Sequence, residues 1–285
     1  MKTLTFWLLI AAAAHLPACE PTIPGATGQA VDPASTAGGA DRDGNATTRP
    51  ASPGLPRDLK LIVTVRMATI EVPAGTVSSS EEVWSYLDEE PVTARRSVSL
   101  GRNGVRVGLG RQGAWPDLAE VLKRMTGHVP TQSTMAAMPN DPFQIILKQH
   151  QPESTIFTFR DDRTLRGRDY PLGDYLLTLS FTLDEDDASE VMLSAVPQVR
   201  SARRVTKYVM SPMGPKMVNK PEVFRLDDLS FGLRIPHKGF LVIGPGANAR
   251  NPSTVGHHFL TRQREGVEYE TLLVLVPEVV AAPIP

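Results

Sequence analysis

Cys19 is the only cysteine in 285 residues, so no disulfide can form within the chain and its stability must come from a packed core. Aromatic residues are scarce at 6%, which argues against binding single-stranded nucleic acid by base stacking. Neither sign of charge is in excess: the formal net charge is -1, with no electrostatic bias toward nucleic acid. Catalytic motifs are missing as well. There is no G-x-S-x-G elbow and no P-loop, and no G-x-G-x-x-G is expected between a strand and a helix. The histidines His15, His128, His150, His237, His257 and His258 form no HExxH. The adjacent pair His257-His258, read as part of a strand, points to opposite faces and suits one metal poorly. The sequence is therefore read as non-enzymatic, with no cofactor and no metal.

The N-terminus carries a clear pattern. Lys2 supplies a positive charge, and Leu4 to Ala14 is a nearly unbroken apolar run ending in small residues. That is a secretory signal, too short to remain as a membrane-spanning helix. At its end Leu16-Pro17-Ala18-Cys19 resembles the lipobox of bacterial lipoproteins. The resemblance implies that 1–18 is a signal peptide and that Cys19 is the lipidation site. The alternative is an ordinary cut after Ala18 that leaves Cys19 as a free thiol. Glu20 is not the aspartate associated with retention in the inner membrane, which favours the outer membrane. Residues 19–57 are Pro, Gly, Ala, Ser and Thr with almost no large apolar side chain. Such a stretch cannot bury enough surface to offset its ordering entropy, so it reads as a disordered tether. Asn45-Ala46-Thr47 matches a glycosylation acceptor by pattern, but beside a bacterial lipobox it reads as chance.

Residues 58–285 read as a β-rich domain. Leu61 to Val72 is a long strand whose alternation slips near Met67, which suggests a bulge. In SSSEEVWSYLDEE, Ser78 or Ser79 with Glu81 or Glu82 forms a capping box that opens a short helix, with Val83, Trp84 and Leu87 facing the core. The glycine-rich LGRNGVRVGLGRQG lacks a GK[ST] ending and reads as a strand flanked by turns. Trp115-Pro116 starts a second helix with Leu118, Val121, Leu122 and Met125 on one face, ended by Gly127. From Phe143 the chain is strand after strand, and Leu177 to Leu183 pairs with Val191 to Ala195 around the acidic turn Asp184-Glu185-Asp186-Asp187. The last run, Leu272 to Val276, does not alternate, as expected of a strand covered on both faces. The expected fold class is mostly β (α+β), with mixed or antiparallel sheets and two short helices.

Four stretches, in order, resemble the secretin homology domain of bacterial secretion and pilus channels. Val63, Val65, Glu71 and Val72 match its opening strand. Val191, Leu193, Pro197 and Val199 match the return strand of its hairpin. Gly239, Val242, Ile243 and Gly244 match a G-x-x-V-I-G strand, with Pro245 in place of a second glycine. Gly256, Phe259, Pro277, Val279 and Val280 match its final elements, with Glu270 opening the last strand. The resemblance implies a structural or accessory component of a protein secretion or pilus assembly system. Its implied partners are the outer membrane through the lipid anchor, further copies of itself, and secretion-system proteins. The alternatives are a lipid-anchored periplasmic binding module and a lipid-anchored hydrolase.

Overall fold

The structure is a computed structural model that describes residues 59–127, 132–160, 162, 164–183, 190–211 and 214–283. The signal peptide, Cys19, the tether, His128 and the acidic turn 184–187 lie outside the described residues. In chain order the elements are β1 (Leu59–Pro73), α1 (Ala94–Arg102), β2 (Val105–Gly110), α2 (Trp115–Thr126), β3 (Gln132–Ala137), β4 (Phe143–Gln151), β5 (Ser154–Phe159), β6 (Leu165–Tyr170) and β7 (Gly173–Leu183). They continue as β8 (Val191–Ser211), β9 (Gly214–Arg225), β10 (Phe231–Ile235), β11 (Phe240–Pro245), α3 (Val255–Leu260), β12 (Thr261–Arg264) and β13 (Val267–Pro283). All belong to one compact unit, Pro53–Pro285, and the other unit, Met1–Ser52, lies outside the described residues.

The strands form two main sheets. One has the order β2-β11-β13-β1-β3, with β12 also paired to β13; the other has the order β10-β8-β7-β4, with β9 also paired to β8. The β5-β6 hairpin stands apart. Every strand pairing is antiparallel, so the fold is mostly β with a few short helices, as expected, though α1, α2 and α3 make three rather than two.

The first strand pairs along its whole length with the last, from Leu59 opposite Pro283 to Pro73 opposite Tyr269, with no register shift. The bulge expected near Met67 is absent. The alternation slips because the strand changes cores. Val63 and Val65 face a core between the two sheets, while Ala68, Ile70 and Val72 face a second core on the other side of the first sheet. The β13 strand borders both cores at once. Leu273 and Leu275 enter the first and Leu272 and Val274 the second, which is why its apolar run does not alternate.

The second core is closed by α2 and by the segment around Trp84. The α2 helix follows its sequence signals: a proline in the first turn, Leu118, Val121 and Leu122 buried, and Gly127 at φ 74 as C-cap. The helix expected over the acidic stretch reduces to one 3-10 turn, Trp84–Tyr86. Ser78 is not its cap, because its hydroxyl is bound to Glu270 instead. The expected core residues Val83 and Trp84 are nevertheless buried.

One absence expected from the sequence is also corrected. Gly108-x-Gly110-x-x-Gly113 does stand between a strand, β2, and a helix, α2. It is no dinucleotide loop, since β2 pairs antiparallel with β11 and no parallel β-α-β crossover is formed. Two of its glycines make room for side chains: a Cβ on Gly108 would lie 2.8 Å from Leu87, and one on Gly110 would overlap the Phe240 ring.

Candidate functional site

The residues that carry the secretin resemblance converge on the frame of the fold. The β1-β13 ladder sets Val65 opposite Pro277 and Val72 opposite Glu270, although more than half the chain separates them. Across the second sheet Val191 faces Leu183, Leu193 faces Phe181, Pro197 faces Leu177 and Val199 faces Tyr175. Gly239 closes the turn into β11, its amide donating to the Pro236 carbonyl at 2.8 Å. Within β11, Val242 and Ile243 are buried in opposite cores, and a Cβ on Gly244 would sit 3.1 Å from Leu272 and 3.2 Å from Trp84. Gly256 opens α3 against the Gly104 backbone, and its amide donates to the Asn103 carbonyl at 2.7 Å. Phe259, one turn on, stacks on Tyr175 at 4.9 Å between ring centres. Val279 packs against the first core, whereas Val280 is exposed. Glu71 pairs with Arg262 at 3.0 Å and Arg264 at 3.3 Å, a structural tie between β1 and β12.

Glu270 has a larger role than its place at the start of a strand suggested. Its side chain is only 2% exposed. One carboxylate oxygen accepts the Gly75 amide at 2.7 Å and the Ser78 hydroxyl, and the other accepts the amides of Val77 at 2.9 Å and Ser78 at 3.0 Å. A buried charge is tolerable when its lone pairs are filled this way, and here it fastens the loop after β1 to the last strand.

Two hollows flank this frame. In the first, of about 580 Å³, Arg106 bridges Glu81 and Glu89 and lies 4.6 Å over the Trp84 ring. Its charge is already neutralised by the two carboxylates. The second, of about 640 Å³, is lined by Ile146, Lys148, Gln149, Gln151, Arg262 and Gln263, among others. Lys148 is 9% exposed and donates to the His257 carbonyl at 3.3 Å. Burial, with the neighbouring Arg262 cation, lowers its pKa to about 8, against a smaller opposing pull from Glu268.

The histidine pair lies on α3 rather than on a strand, with ring planes 89° apart. Burial, then His257 and Lys148, lower the pKa of His258 to about 4, partly countered by the Thr155 backbone. His258 Nε2 is buried without a hydrogen-bond partner. Thr261, His257 and Glu268 superficially suggest a nucleophile, a base and an orienting acid. In such a relay the two ring nitrogens serve different partners. Here Thr261 Oγ1 at 3.3 Å, Glu268 at 3.5 Å and the Ala249 carbonyl at 3.1 Å all converge on Nδ1. The Thr261 hydroxyl is bound to the His257 carbonyl at 2.8 Å, as a structural group would be. Among the described residues no three His, Cys, Asp or Glu side chains are placed to hold a metal ion.

The end of the β8-β9 hairpin exposes large apolar side chains, among them Tyr208 and Met210. β7 pairs with β8 only as far as Ser201. Beyond it, Arg204 to Ser211 pair with Pro221 to Gly214 after a register shift, as a two-stranded ribbon whose edges meet no further strand among the described residues. Sequence reading ended the β8 strand near Val199 and missed β9. One signal was available: no Asp or Glu occurs from Ser201 to Pro221. Compared with known proteins, the chain matches no family model, no curated protein and no solved structure.

Proposed function

We propose that the chain is a non-enzymatic outer-membrane lipoprotein, anchored through Cys19, that serves as a structural or accessory component of a protein secretion or pilus assembly system. The reading rests on the secretin-like stretches. The observation that carries it is that the first and last of these stretches pair directly, with Val65 against Pro277 and Val72 against Glu270, and that the G-x-x-V-I-G strand β11 pairs with the same last strand. No helix among the described residues is long and apolar enough to cross a membrane.

Two measurements test it. Cys19→Ser is expected to leave uncleaved precursor and abolish labelling by a fatty-acid probe, and unchanged labelling overturns the anchor. Negative-stain images of detergent-extracted protein are expected to show rings, or secretion components co-purifying with the chain. Isolated monomers with no such companions overturn the assembly role in favour of a lipid-anchored binding module.

A further inference from the structure

The β8-β9 ribbon is an unusual thing to leave in water. An isolated two-stranded ribbon is marginally stable at best, and this one extends beyond the sheet with no third strand among the described residues. It also exposes large apolar side chains: Tyr208 is 76% exposed, Met210 79% and Met217 60%. Side chains alternate between faces along a strand, and directly paired residues share a face. The register therefore places Tyr208 with Met217, and Met210 with Pro215, in one uncharged patch near the tip. The opposite face carries Lys207 beside Val218, Lys216 beside Val209 and Lys220 beside Val205. Arg203 and Arg204 stand at the base. With no acidic residue from Ser201 to Pro221, the ribbon joins an apolar patch to five cations.

We propose that this ribbon docks on a bilayer surface rich in anionic lipid, with Tyr208, Met210 and Met217 entering the headgroup region and the lysines held by lipid phosphates. Entering tip first, the ribbon brings both faces to the boundary: the uncharged patch meets the headgroup region, while Lys207 and Lys216, level with it on the opposite face, reach the lipid phosphates on their long stems. The open backbone edges set the depth. Unpaired amides and carbonyls cannot enter hydrocarbon, so the ribbon rests in the interface and does not span the bilayer. Symmetric pairing with a second copy is disfavoured, because it sets five cations against five. The docking is independent of acylation at Cys19 and adds a second attachment to any lipid anchor.

The test uses the full chain carrying Cys19→Ser and Met210→Cys, labelled on the introduced thiol with an environment-sensitive fluorophore. Met210 is exposed, so its replacement does not disturb a core. Vesicles of phosphatidylcholine containing phosphatidylglycerol are expected to shift the label's emission to the blue. Pure phosphatidylcholine vesicles are expected to give a much weaker response, and high salt to remove most of the response to the anionic vesicles. Reversing three charges with Lys207→Glu, Lys216→Glu and Lys220→Glu is expected to weaken binding about a hundredfold, from roughly fivefold per basic residue at an anionic surface. The same label on Val98→Cys, an exposed position on α1, is expected to stay silent, which separates ribbon docking from adsorption of the N-terminal apolar run. Several results overturn the proposal: no emission change with anionic vesicles, an equal change after charge reversal, or an equal change at position 98. A change with soluble polyglutamate or with added unlabelled chain, and none with vesicles, overturns it in favour of an acidic protein or a second copy.

Discussion

Glu270 and Val77 stand 193 residues apart in the chain, and the carboxylate of the first accepts the amide hydrogen of the second at 2.9 Å. Together with the Gly75 and Ser78 donors, this ties the loop after β1 to the last strand. Glu270→Ala leaves three amides and a hydroxyl without their acceptor in a buried site. It is expected to cost about 3–5 kcal/mol, the scale for breaking a buried charged network. Glu270→Gln keeps an acceptor oxygen and is expected to cost less. Urea denaturation of the two variants checks the ranking, and an alanine variant as stable as the parent refutes the anchoring role.

Two glycines on neighbouring helices should respond in opposite directions. Gly256→Ala puts a methyl group into the Gly104 carbonyl, and Gly104, at φ +76 with its own missing Cβ 2.7 Å from the Ala249 amide nitrogen, has no slack to yield. The melting temperature is expected to fall steeply. Gly101, in α1, has nothing within 4 Å of an added Cβ. Gly101→Ala is therefore expected to gain up to about 1 kcal/mol from lower backbone entropy in the unfolded chain. Thermal melts of the pair decide it.

Stability should depend on pH through His258 and Lys148. Burial lowers His258 from an ordinary 6.5 to about 4, so between those values the unfolded chain holds a proton that the folded chain does not. Stability then rises with pH across that window and is level above it. Lys148, lowered from 10.5 to about 8 chiefly by burial, makes stability rise again across that higher window. His258→Gln is expected to flatten the acid limb, and Lys148→Met the alkaline one. Melting temperatures measured across the pH range test this, and parallel curves for parent and variants refute the assignment.

The central residues of β13 should tolerate polarity on neither face. Leu272, Leu273 and Leu275 are fully buried and Val274 nearly so, in two different cores. Leu273→Asp or Val274→Asp is expected to cost several kcal/mol, comparable with the ~5–15 kcal/mol that holds a domain together. In a serine scan over 272–275 every variant is expected to lose soluble expression. Tolerance at alternate positions would instead point to a strand with one wetted face.

Much of the architecture was legible along the chain wherever local pattern and final environment agree. The α2 helix announced itself by Pro116, an apolar stripe and Gly127, and the alternating residues of the β7-β8 hairpin paired as their pattern required. Elements with little apolar content were not legible: α1 buries only Ser99 and Leu100, and in β6 only Tyr170 is buried. Their place is set by neighbours, and neighbours leave no periodic trace in such a segment.

The sequence by itself determined the β-rich class, the absence of disulfides, the glycines at turns and the unalternating apolar run of the last strand. Those features follow from residue type and spacing, which act over a few positions. Only the tertiary structure decided that the slip at Met67 is a change of core and not a bulge, and that Ser78 serves Glu270 and not a helix. It likewise decided that the three partners of His257 share one ring nitrogen, and that the β8-β9 ribbon runs past its sheet without a third strand among the described residues. Each of these depends on contacts between residues far apart in the chain, and local spacing carries no information about which distant partner a side chain will meet.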